Sequence, residues 1–219
     1  MFSQIATFLA ATATLASAIS VSVTPHEQYS SSVGVLGCKV NSNRIAYWPM
    51  SISCNDICLR VTRAGRTVHL LRIDQSGGAF DISYDAWNYL YTGNPAVPGK
   101  AVSGGPIEAD YQVVPASECA SLIRTPNGGL PLAAASSMNY LDSCMRQPGS
   151  WVGSNYQLYN INNPVCTYGV DERCTFTKAD LDAGLNQPKC PSGLGLPVAL
   201  SSQPVYNIKY PTGETYRAT

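Results

Sequence analysis

The chain lacks an excess of charge of either sign. Its 14 Lys and Arg balance 14 Asp and Glu, and charged residues make up only 13% of its 219 positions. No basic stripe exists for nucleic acid or for an anionic membrane surface, so neither is expected as a partner. After the first twenty residues no apolar run approaches the ~20 residues of a membrane span, and no apolar tail at the C-terminal end suggests a lipid anchor. Histidine is scarce. His26 and His69 are the only two, and neither stands beside a nucleophile motif, which argues against Ser-His or Cys-His catalysis. No phosphate-cradling glycine loop is present, because Gly77-Gly78 lacks the strand–GxGxxG–helix setting. There is no N-x-S/T site for N-glycosylation. No cofactor is implied.

What the chain does have is eight cysteines: Cys38, Cys54, Cys58, Cys119, Cys144, Cys166, Cys174 and Cys190. Residues 1–18 are uncharged, mostly apolar, and end in Ala16-Ser17-Ala18, the small-x-small pattern of a secretory signal. An even cysteine count behind such a signal points to disulfides and to an exported, extracellular protein. Eight cysteines allow 105 pairings, and the sequence does not choose among them. Cys54 and Cys58 have no second close pair with His, so no metal site is expected. Tyrosine is frequent (13) and phenylalanine rare (4), which suits half-buried surfaces with wet ring tips.

Four regions emerge. Residues 1–18 read as the signal and 19–37 as a polar, Ser-rich, loose leader. Residues 38–119 read as short strands. A candidate strand lies in 38–48, a hairpin over 57–74 turns at Ala64-Gly65, and 107–115 alternates as a strand. Ser83 stands at the N-cap of a segment in which Tyr84, Trp87 and Tyr91 fall at helical spacing; 92–106, with four Gly and three Pro, reads as loop. Residues 120–219 read as a cysteine-bound extension. A helix is expected over 131–147, disulfide-held loops over 163–174 and 187–197, and poor order in the last twenty residues.

The stretches "RIDQSGGAFDIS" and "DYQVV", in order behind "LRVTRAG", where the family has a V-x-V-x-x-x-G strand, carry a resemblance to the six-stranded double-psi β-barrel of barwin-like and expansin-like secreted proteins. That resemblance implies a mainly β fold: a double-psi barrel with a disulfide-rich, partly helical C-terminal extension. More narrowly, "YWPM", "ISYDAWNYL", "SMNYL" and "PVCTYGVDERC" resemble fungal conidial cell-wall proteins labelled thaumatin-like, although true thaumatins use about twice as many cysteines.

In catalytic relatives of the barrel, two carboxyl groups ~6.5–9.5 Å apart cut glycosides with inversion. The acid's His-Phe-Asp segment is matched by Ala79-Phe80-Asp81. The base's Tyr-Trp-Asp run is matched by Tyr47-Trp48-Pro49, where Pro49 cannot accept a proton. Asp56 lies in a cysteine-bounded turn. Asp81 is therefore a candidate for capping the following helix, for binding, or for catalysis. Asp74 is either a turn-forming acid or part of the same cleft. Flat aromatic faces suit sugar rings, so Tyr47, Trp48, Tyr84 and Trp87 join Asp74 and Asp81 as glycan-binding candidates. Strand alternation allows at most one of Tyr47 and Trp48 to face the cleft, and Trp87 also fits a core position. Asp85 and Glu108 read as solvated surface acids, and His69 as exposed.

The function expected from the resemblance is a secreted, wall-associated protein. It would bind or remodel wall polysaccharide, chitin or β-glucan, during growth or conidial germination, without hydrolysis. Two rivals stand beside it: a glycan-cleaving enzyme using Asp81, and an adhesin or effector for a host surface protein, which would expose an apolar patch away from Asp81.

Overall fold

The computed structural model describes residues 18–219, so the signal expected over 1–18 lies almost wholly outside the described residues. Six strands close into a barrel: β1 (Ile19–His26), β2 (Ile45–Trp48), β3 (Cys58–Arg63), β4 (Arg66–Gln75), β5 (Phe80–Ser83) and β6 (Ile107–Val113), in the order β1-β5-β2-β4-β3-β6. β1 runs parallel to β5 and antiparallel to β6, which closes the ring. The loose leader expected over 19–37 is corrected here. Ile19, Val21 and Val23 alternate with Ser20, Ser22 and Thr24, and closure leaves β5 and β6 no free edge.

The hairpin over 57–74 forms as expected, with Ala64 at φ 49° and Gly65 at φ 77° in its two-residue turn. Positive φ at both positions matches the right-handed twist of the flanking strands. Alternation sends Val23, Ala46, Trp48, Leu59, Val61, Leu70 and Ile82 into the barrel core. Helix α1 (Tyr84–Thr92) then seals the barrel with Tyr84, Ala86, Trp87 and Leu90. Ser83 occupies the N-cap without a capping bond; its hydroxyl instead accepts the Ile45 amide and donates to the Ser42 carbonyl.

The outer face of β2 and β4 (Ile45, Tyr47, Leu71, Ile73) is apolar too, and the C-terminal half packs on it. A second sheet has the order β7-β8-β9: β7 (Leu130–Ala133), β8 (Tyr156–Ile161) and β9 (Gly169–Cys174). Helices α2 (Met138–Met145), α3 (Trp151–Ser154) and α4 (Lys178–Asp182) connect and flank it. The helix expected over 131–147 divides. Residues 130–133 lie buried as a strand beside β8, tied to Gly34 and Leu36 by backbone hydrogen bonds, and only 138–145 are helical. Burial of an apolar run between two extended neighbours overrides helix propensity. The loop expected over 163–174 contains β9. The chain's last twenty residues are an ordered hairpin, β10 (Tyr206–Ile208) with β11 (Thr215–Arg217), and bury Asn207, Ile208, Gly213 and Ala218.

All eight cysteines are paired. Cys58–Cys119 staples the barrel, Cys38–Cys166 and Cys54–Cys144 join barrel to extension, and Cys174–Cys190 closes the extension. Among the described residues no helix is long and apolar enough to cross a membrane.

Candidate functional site

Strand register lines up four polar side chains. Thr24 of β1 pairs with Asp81 of β5, Asp81 pairs with Tyr47 of β2, and Tyr47 pairs with Asp74 of β4. A bulge between Ala46 and Tyr47 shifts the β2–β4 register and sets Asp74 level with Tyr47. Asp74 and Asp81 are thus two strand spacings apart, about 9–10 Å.

The two acids differ in what they touch. Asp74 is buried, and both its oxygens are engaged: Oδ2 accepts the Ser30 hydroxyl, and Oδ1 accepts the amides of Ser32 and Gln75, each at 2.8 Å. Ser31 adds a bond from its hydroxyl to the Ile73 carbonyl at 2.8 Å. Three consecutive serines therefore clamp the end of β4. Asp81 is only half buried and accepts one bond, from the Thr24 hydroxyl through Oδ1. It does not cap α1, whose N-cap is Ser83.

Between the acids lies Tyr47, 3% exposed, with the His26 ring 4.3 Å from its own. Burial pushes the Tyr47 phenol far above its ordinary value; a hydrogen bond with Ser83 works against this, and the Asp74 and Asp81 charges add to it. Tyr29 is buried alongside and raised in the same way, first by burial and then by Tyr47 and Asp74. The outer barrel face here is filled. A cavity of only about 10 Å³, the scale of one water molecule, remains among Tyr29, Tyr47, Ser83 and Asp85.

All four of the expected sugar platforms are corrected, Tyr47 because its outward-turned ring is covered and only 3% exposed. Trp48 is fully buried in the barrel, edge-on to Phe80 and Tyr111, because alternation turns it inward where Tyr47 turns outward. Trp87 is fully buried on the core face of α1, beneath Gly104, where a Cβ would come within 2.5 Å of its ring. Tyr84 is 1% exposed and donates its hydroxyl to the Val102 carbonyl. None of the four offers a ring face to solvent. Asp85 is corrected as well: it is buried, paired with Arg44, and accepts the Ala96 amide at 2.8 Å. Glu108 and Asp56 are exposed, and His69 pairs with Glu118 at 2.9 Å on the surface.

Thr24, His26, Tyr29 and the serine clamp belong to the site and escape the sequence reading, because they fall in the stretch read as leader. The alternation of Ile19 to Thr24 was the available signal. Among the described residues no three His, Cys, Asp or Glu side chains gather as a metal site.

Chemically, the row can hold a polar ligand at Asp81 and Thr24. A second carboxylate stands close to the spacing that inversion requires, but it is buried and three protein donors hold its oxygens, which disfavours its activating a water.

Residues 24–122 match the cerato-platanin family model. A solved structure, cerato-platanin 3 from M. perniciosa, aligns over 46% of this chain and 98% of its own, with 17% identity and a TM-score of 0.32. No curated protein matches the chain. The family match covers β2 to β6, the last three residues of β1 and the Cys58–Cys119 disulfide, and the closed six-stranded ring is the double-psi barrel. The thaumatin-like likeness finds no support in these matches.

Proposed function

We propose that this is a secreted, fungal wall-associated protein that binds wall polysaccharide, chitin or β-glucan, during growth or conidial germination, and does not hydrolyse it. The observation that carries the reading is the unequal fate of the two acids: Asp74 is locked by Ser30, Ser32 and Gln75, while Asp81 keeps an exposed side. Cerato-platanins are secreted cell-wall proteins, and the match over 24–122 supports the same setting here. Four disulfides fit an oxidising, extracellular location. The test is retention of residues 19–219 on insoluble chitin and β-1,3-glucan beside Asp81→Asn. Retention reduced in the variant supports the reading, and equal retention removes Asp81 from it.

One observation favours a second reading, an adhesin or effector for a host protein. Tyr168 (51% exposed) and Val198 (52%) lie on adjoining extended segments of the extension, with Leu196 nearby, away from Asp81. Capture of a host surface protein that is lost on Tyr168→Asp would support that reading.

A further inference from the structure

A separate cleft lies where the C-terminal hairpin meets the barrel. One wall is residues 37–43, which run beside 122–124 through the Val40–Ile123 bridge and through bonds from the Asn41 amide to Leu122 and from the Arg124 amide to Lys39. The other wall is β10 and β11. The Tyr29 amide donates to Asn207 and the Ala218 amide to Val205, so the hairpin is fixed in place. The space between them is about 340 Å³. That falls within the range of small-ligand sites, and walls held by backbone bonds make it preformed.

Its polar lining is Ser42, Asn43, Arg124, Gln203, Tyr206 and Thr215, and none of the lining residues is acidic. Gln203 is already held by Lys39 and Asp171. The side chains of Asn43, Arg124 and Tyr206 have no partner among the described residues. Tyr206 lines the cleft and is 51% exposed. An open aromatic face takes the C–H side of a pyranose. An amide and hydroxyls bond to sugar hydroxyls, and an unpaired guanidinium selects a carboxylate, which it can hold through two parallel bonds.

We infer that this cleft binds an acidic saccharide, a sugar unit bearing a carboxylate, with Tyr206 as stacking platform, Arg124 as carboxylate anchor, and Asn43 and Ser42 as hydroxyl partners. The site shares no residue with the Thr24–Asp81 row and lies partly outside the stretch that matches the family model, so it stands or falls independently of wall binding.

The test is calorimetric titration of residues 19–219 with trigalacturonate, with chitotriose as neutral probe and inorganic phosphate as bare anion. Trigalacturonate should bind at least about tenfold more tightly than either, a difference of about 1.4 kcal/mol. Arg124→Ala should remove that preference. Tyr206→Ala should weaken the trimer about tenfold as well. Both side chains are exposed, so a melting curve matching the parent shows that the variants fold, and Arg124→Lys should recover part of the affinity. Equal binding of trimer and chitotriose would overturn the acidic class. Equal binding of trimer and phosphate would reduce the site to an anion hole. No binding to the folded parent would overturn the site itself, and would leave retention on chitin or glucan through Asp81 untouched.

Discussion

The ends of β4 and β5 carry the same chemical group and put it to opposite uses. At the end of β4, Asp74 lies under the 27–36 segment and spends its lone pairs on Ser30, Ser32 and Gln75. At β5, Asp81 is only half buried and spends one on Thr24. A covered carboxylate becomes scaffold, because its charge is compensated by fixed donors and shielded from any ligand. An uncovered one stays available. The difference comes from what passes over each strand, so a pair that would suit hydrolysis by spacing alone has one working member.

The largest way to break this contrast is to release the cover. Cys38 anchors the 27–40 segment to Cys166, closing a separation of 128 residues, whereas Cys174–Cys190 closes only 16. Loop entropy assigns about 5 kcal/mol to the first and about 3 kcal/mol to the second. Replacing Cys38 and Cys166 by Ser should therefore lower stability in denaturant titration by more than replacing Cys174 and Cys190. Next comes Asp74→Asn, which spoils a buried, charge-assisted cluster. A loss of about 1.5–3 kcal/mol is expected from thermal unfolding, against less than about 1 kcal/mol for Asp81→Asn, whose effect should fall on polysaccharide retention instead.

A third prediction uses the phenols between the acids. Tyr29 and Tyr47 hold their protons well above the free value of 10.0. Above pH 10 the unfolded chain sheds protons that the folded chain keeps, so stability is full below that pH and falls as pH rises beyond it. Each phenol contributes a slope of at most about 1.4 kcal/mol per pH unit. Tyr47→Phe should make alkaline unfolding less steep than in the parent. The smallest effect belongs to Thr24→Val, which removes the hydroxyl that donates to Asp81. It should change stability by less than about 1 kcal/mol, read from the melting temperature.

The sequence made one of these regions far more legible than the other. The 57–74 hairpin, the 92–106 loop, α1 and the strand after it were readable because each follows from a local period or a turn signal. So was the pairing of a glycine turn with Asp81. The clamp on Asp74 was not. Ser30, Ser31 and Ser32 are ordinary loop residues in sequence and acquire a role only when the fold brings them onto Ile73 and Asp74, 42–44 residues further along the chain. Trp48 and Trp87 are legible as aromatics at strand and helix positions, but which way they face depends on closure. The 340 Å³ cleft is assembled from three distant stretches, around 37–43, 124 and 203–215, and no local pattern marks it.

The measurement that bears most directly on the central claim is sugar release under binding conditions. Residues 19–219 would be incubated to saturation on insoluble chitin and on β-1,3-glucan, and the supernatant assayed for reducing ends, beside Asp74→Asn and Asp81→Asn. The account predicts bound protein with no release above the protein-free blank, and binding weakened in Asp81→Asn. Steady release from the parent, abolished in both variants, would show that Asp74 acts as a base despite its three donors, and would contradict the account.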